Sequence, residues 1–234
     1  MNKIALIVSH GQPSDPDPAE TALAALAAKV AKHLPGWRVV SATLAKPGAL
    51  EAVVSGAPGF VYPMFMAGGW FTTTELPRRV EQAGGGGWDH LPPFGLDAGV
   101  QALGLAKVRA AVVGLVTETS VLLAAHGSFR SSAPSEVAYA FAGRLMAEGF
   151  GRAEAYFIDQ EPRIATARGF DDRAICLPFF AAEGGHVVDD LPAALAEAKF
   201  TGRVLPALGL DARVPGLIAA ALRAAQAAAQ VTVR

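Results

Sequence analysis

The chain has 234 residues, 52% of them hydrophobic, with a formal net charge of −1, so it has ample material for a core and no electrostatic footprint for nucleic acid or an anionic membrane surface. Its one cysteine, Cys176, excludes an intramolecular disulfide and a four-thiolate zinc site. No apolar stretch approaches the roughly 20 residues that span a bilayer, and the N-terminus lacks a secretory pattern, so the expected location is the cytoplasm.

Ile4 to Val8 is a continuous apolar run, as in a strand covered on both faces, and His10-Gly11 ends it. A loop rich in Pro and Asp leads into a helix over 19–34. Strands are predicted at 37–44 and 59–64, with a short helix between them from Pro47 to Ser55. Gly68-Gly69 then turns the chain into a helix over 71–83, followed by a glycine run, a short strand at 88–91 and a helix over 96–107. The order then repeats. Val121 to Ala125 reads as a strand ended by His126-Gly127, with a helix at 134–148, a strand at 153–158 and a short helix at 163–168. Ala174 to Pro178 is the next strand, then Gly184-Gly185, a helix to Lys199, a strand at 202–205 and a last helix from Asp211.

The repetition extends to individual residues. His10-Gly11 and His126-Gly127 are 116 positions apart, as are Gly68-Gly69 and Gly184-Gly185, while LPPFGLDAGV from Leu91 returns as LPALGLDARV from Leu205. A period above one hundred residues implies a duplicated domain rather than a solenoid. Alternating short strands and helices imply a parallel sheet in each half, linked by right-handed crossovers. The expected division is 1–112 and 113–234.

Two strand-ending histidines, His126 and His186, would converge on the crevice where open α/β sheets bind ligands. Neutral imidazoles and carboxylates can hold a divalent ion while leaving positions open, and only the second half adds acids at a strand end, Asp159 and Glu161. The first half keeps His10 alone. Aligned on the glycine pairs, it has Trp70 in place of His186, and Leu44 and Lys46 in place of the acids. It reads as a degenerate site beside a working one. Gly184-Gly185 is expected to aim His186, with φ above zero in at least one of the pair. Asp189 and Asp190 fall in the first turn of a helix, where the macrodipole favours acids in any case.

HGSFR (126–130), LPFFAAEGGHVVDDLP (177–192), the QEP of 160–162 and PALGLDARV (206–214) resemble the class II tetrapyrrole chelatases of the CbiX, or sirohydrochlorin chelatase, type in its two-domain form. The resemblance covers essentially the whole chain. It implies two tandem flavodoxin-like, doubly wound domains, each with a roughly four-stranded parallel sheet. It also implies ATP-independent insertion of a divalent metal substrate, Co2+ or Fe2+, into a sirohydrochlorin-like tetrapyrrole for cobalamin or siroheme synthesis, with no organic cofactor.

Carried over by motif, His126 and His186 hold the metal and Asp159 or Glu161 is the family's acid. Ser128, Arg130, Gly184, Gly185 and His10 meet the macrocycle, with Arg130 near its carboxylates. Phe129 interrupts the family's HGSR pattern, the first half lacks the basic residue, and many two-domain members carry the histidine pair in the first half. A non-catalytic metal- or tetrapyrrole-binding paralogue is therefore the alternative. Phosphoryl transfer at the His-Gly turns ranks below both, because an arginine should clamp phosphate beside the histidine and Val8-Ser9 and Ala124-Ala125 stand there instead.

Overall fold

The computed structural model describes residues 3–54 and 56–232, so Ser55, the last position of the short helix expected from Pro47, lies outside the described residues. The first sheet is formed by β1 (Lys3–Ser9), β2 (Trp37–Thr43), β3 (Gly59–Pro63) and β4 (Asp89–His90), all parallel, in the order β2-β1-β3-β4. Its helices are α1 (Pro16–Ala31), α2 (Ala49–Val53) and α3 (Leu76–Gln82). Next comes α4 (Ala98–Ala110).

The second sheet repeats the design with β5 (Ser120–Ala125), β6 (Arg152–Phe157), β7 (Ile175–Pro178) and β8 (Arg203–Val204), parallel in the order β6-β5-β7-β8. It is accompanied by α5 (Ala133–Ala147) and α6 (Leu191–Glu197), and α7 (Val214–Thr232) is the last described element. Where a helix was expected over 163–168, only a single 3₁₀ turn forms, Ile164–Thr166. No described helix is long and apolar enough to cross a membrane.

Each central strand is apolar along its length because both faces of its sheet are covered. In β1, Ala5 to Val8 are fully buried, and in β5 the same is true of Val121 to Ala124. Beneath the second sheet, Leu122, Ala124 and Cys176 pack with Ile164, Leu191 and Leu195. This core anchors the N-terminal end of α6. Burial there also pushes the Cys176 thiol up to about 12, so it stays protonated and inert.

The two compact units do not follow a cut at 112/113. One comprises the described residues up to Asp97 together with those from Ala212 onward; the other is Ala98–Asp211. The last helix of each half is thus exchanged. α7 packs on α1 and β3. α4 approaches α5 so closely that a Cβ on Gly104 would stand 2.7 Å from the Phe141 ring. Val100, Leu103 and Val108 are buried along α4, and an apolar helix face specifies burial without specifying which half provides the partner.

Candidate metal centre

In the second unit the chain leaves β5 through His126 and Gly127. Gly127 adopts φ +75°, and a Cβ there would lie 2.6 Å from Gln160 Cγ. This position requires glycine. Beyond β6 the ladder continues, with Ile158 N–H bonded to the Ala125 carbonyl and Asp159 N–H to the His126 carbonyl at 2.9 Å. The Asp159 carboxylate is thereby delivered to 3.6 Å from His126 Nδ1. Gln160 Oε1 accepts Ser128 N–H at 2.8 Å, and Ser128 Oγ accepts Arg130 N–H at 3.1 Å. Ser128 therefore shapes the turn, and Arg130 is exposed on it.

His186 opens a π-turn, His186–Asp190, in which Leu191 N–H bonds back to the His186 carbonyl before α6 begins. Such turns are frequent at functional sites. Pro192, which follows, has no N–H to offer a regular helical turn. Neither Gly184 nor Gly185 has positive φ, which corrects the expectation for this pair. Gly185 is helical at φ −49°, and an added Cβ would meet nothing nearer than Asp189 Oδ2 at 3.8 Å. The π-turn, rather than a left-handed glycine, aims His186.

The two imidazoles meet. His126 Nε2 and His186 Nε2 are 3.0 Å apart, with ring centroids at 4.4 Å and planes at 88°. On the far side of each ring, His126 Nδ1 contacts the Gly127 carbonyl at 2.8 Å and His186 Nδ1 contacts Asp190 Oδ2 at 2.7 Å. A carbonyl can only accept, as can an ionised carboxylate, so both Nδ1 atoms carry hydrogen. In the neutral rings both Nε2 lone pairs then face one another. That arrangement is repulsive unless a cation or a shared proton lies between them. Two metal–nitrogen bonds of about 2.0–2.1 Å meeting near a right angle span about 3 Å, so the pair suits an ion.

Glu161 is not part of this group: its side chain is 76% exposed and turns to Arg163, whose backbone N–H it accepts at 3.1 Å. Of the two candidate acids, Asp159 is the one beside the pair. Among the described residues no group of three or more His, Cys, Asp or Glu is arranged to hold a metal, so the pair would leave most of an ion's coordination positions open. Phe129, three residues after His126, is exposed, with the Arg163 guanidinium 5.4 Å from its ring centre.

His10 lies in the first unit, where the corresponding π-turn is Phe71–Glu75. The turns and the Leu-Pro pairs that follow them are 115 residues apart, not 116, so Phe71 stands where His186 does and Trp70 where Gly185 does. His10 accordingly meets the Phe71 ring edge-on at 4.8 Å. Backbone bonding likewise makes Ala45, whose N–H goes to the His10 carbonyl as that of Asp159 goes to the His126 carbonyl, the first unit's counterpart of Asp159, rather than Leu44 or Lys46.

Glu75, at the position of Asp190, is buried and clamped by Arg78 Nε at 3.0 Å and Nη2 at 2.8 Å, and by Arg79 Nε at 2.6 Å. Those bonds, first from Arg78 and then Arg79, hold its carboxyl down to about 2. A depressed native pKa gives stability that is complete above the unfolded value near 4.5 and fades as pH falls toward 2. Glu75→Gln should therefore lower the melting temperature at pH 6 to 7, with the gap to the unsubstituted protein closing below pH 4. Thermal scans across that range check this.

The profile described as CbiX matches residues 120–225. No curated protein matches the chain. Among solved structures, that of CbiX, described as the terminal enzyme for siroheme biosynthesis in denitrifying bacteria, is 49% identical, covers 96% of this chain and 99% of its own, and has a TM-score of 0.87. SirB from Bacillus subtilis with Fe3+ is 14% identical over 95% of each chain, TM-score 0.70. A multi-domain protein of Deinococcus radiodurans, described as similar in structure to chelatases, is 21% identical over 94% of this chain and 54% of its own, TM-score 0.69. These last two share the fold. Two parallel α/β units, each with a histidine at the carboxyl edge of its first strand, define a tandem protein of the chelatase fold. The chain belongs to the CbiX family.

Proposed function

We propose that the protein is a metal chelatase that inserts a divalent ion, cobalt or iron, into a sirohydrochlorin-like tetrapyrrole, without ATP, as a step toward siroheme or cobalamin. The reading rests on the paired Nε2 atoms of His126 and His186, 3.0 Å apart with both Nδ1 atoms committed elsewhere. A chelatase must hold its ion and then give it up. Two imidazoles with open positions suit that task better than a closed four-ligand cage, which is a structural arrangement.

In this mechanism the ion sits on the two Nε2 atoms with Asp159 beside His126. The macrocycle docks over the carboxyl edge of the second sheet, its carboxylates toward the exposed Arg130. As pyrrole nitrogens replace the histidines on the metal, the two pyrrole protons leave, one to the vacated Nε2 of each imidazole, with Asp159 and Asp190 behind the rings at Nδ1. The charge of the ion is balanced by the protons released. Arg130 supplies charge at the rim, and the exposed Phe129 an apolar surface for the ring. Gly184 and Gly185 offer it the bare backbone that leads into His186.

The decisive experiment mixes purified protein with sirohydrochlorin and Co2+ and follows the absorption change. A rate above the uncatalysed control supports the reading, and repeating it with Fe2+ ranks the metals. Co2+ binding through the pair with no acceleration for either ion would favour the non-catalytic paralogue.

A further inference from the structure

We infer that Asp190 is a positioning residue for metal transfer: it fixes the tautomer and tilt of His186 so that Nε2, and not Nδ1, presents a bare lone pair to the ion. This rests on the reading that the histidine pair takes the metal. The Asp190 Oδ2 to His186 Nδ1 contact is 2.7 Å, short enough for a charge-assisted hydrogen bond. Because the carboxylate only accepts, the Nδ1 hydrogen is fixed and Nε2 is free. On the neighbouring ring the Gly127 carbonyl has the same effect on His126. Metal-bound histidines ordinarily have such an acceptor behind them.

The duplication inside the chain supplies a natural control. Both π-turns put residue four after the turn's first in the same place, and there the two halves differ together. In the second unit His186 and Asp190 are followed by Ala193 and Ala194, which offer Asp190 no competing cation. In the first unit the histidine is Phe71, the acid is Glu75, and the alanines are Arg78 and Arg79, which take both carboxylate oxygens. Where the imidazole is present the acid serves it; where the imidazole is missing the acid serves structure. A plain N-terminal helix charge would not require this change of partners.

Asn at position 190 can turn its amide N–H toward Nδ1, which moves the ring hydrogen to Nε2 and blocks the metal-facing nitrogen. The test compares Asp190→Asn, Asp190→Glu and His186→Ala with the unsubstituted protein, by Co2+ titration and by 15N NMR of the imidazoles. Asp190 is half exposed, so all three variants should melt near the parent temperature. Asp190→Asn should bind Co2+ some 10- to 100-fold more weakly, the usual range for outer-shell changes, with the 15N shifts of His186 reporting hydrogen on Nε2. Asp190→Glu should recover part of the affinity. Parent-like affinity and an unchanged tautomer in Asp190→Asn would overturn the inference while leaving the histidine pair intact. Parent-like Co2+ affinity in His186→Ala would instead overturn the reading of the pair itself, and the inference with it.

Discussion

His186→Ala should abolish measurable metal insertion, with His126→Ala close behind and His10→Ala within about twofold of the parent protein. In the proposed mechanism, removing either imidazole of the pair leaves one nitrogen ligand where two face each other at 3.0 Å. The loss should exceed the roughly 10- to 100-fold that outer-shell changes produce. His10 has no second imidazole. Its ring stands edge-on to Phe71, so its removal costs an aromatic contact in the first unit and no ligand. Single-turnover insertion of Co2+, followed by absorbance for the three variants, checks the order. If His10→Ala is as inactive as His186→Ala, the first unit contributes directly to the chemistry and the division into one working and one degenerate site fails.

Gly127→Val should be the more damaging glycine substitution, and Gly185→Ala nearly silent. At φ +75° a β-branched side chain is a backbone outlier, and holding it there costs about 1–3 kcal/mol. The new Cβ, 2.6 Å from Gln160 Cγ, would also displace the side chain whose Oε1 accepts Ser128 N–H. His126 lies next in sequence, so cobalt affinity should fall along with stability. Gly185 is already helical, with open space around it, and Ala there should change stability by no more than about 0.5 kcal/mol. Denaturant titrations and Co2+ titrations of both proteins, run together, decide this. Equal losses would mean that glycine at 127 is no more required than glycine at 185.

Strands and their terminal histidines were legible because a buried parallel strand writes itself as an unbroken apolar run and a His-Gly pair closes it. The histidine partners were legible from the repeat. The finer alignment was not, because the two glycine pairs are identical dipeptides yet out of structural register by one residue. The anchors that physics holds fixed are Leu76 and Leu191, both buried at the base of their π-turns. Counting back from them gives Phe71 against His186. In sequence Asp190 is only a helix-dipole residue, since nothing in HVVDD announces a π-turn that brings the fifth residue against the first. The exchange of α4 and α7 left no trace in sequence either. Both helices are amphipathic, and a duplicated chain offers each one two nearly equivalent sheets.

That exchange has a consequence for how the protein is made. The first unit cannot close until Val214–Thr232 has been synthesised, because α7 packs on α1 and β3. All of Ala98–Asp211, itself a contiguous unit, emerges from the ribosome in the interval. At roughly 5–20 residues per second the wait is on the order of ten seconds, long compared with the roughly 0.1–10 microseconds in which helices and hairpins form. During it the part of the first sheet and α1 that α7 will cover stays open to solvent. The second unit, meanwhile, has every residue it needs in one uninterrupted stretch. The half that carries the histidine pair is therefore complete first, and the half that begins the chain is finished last.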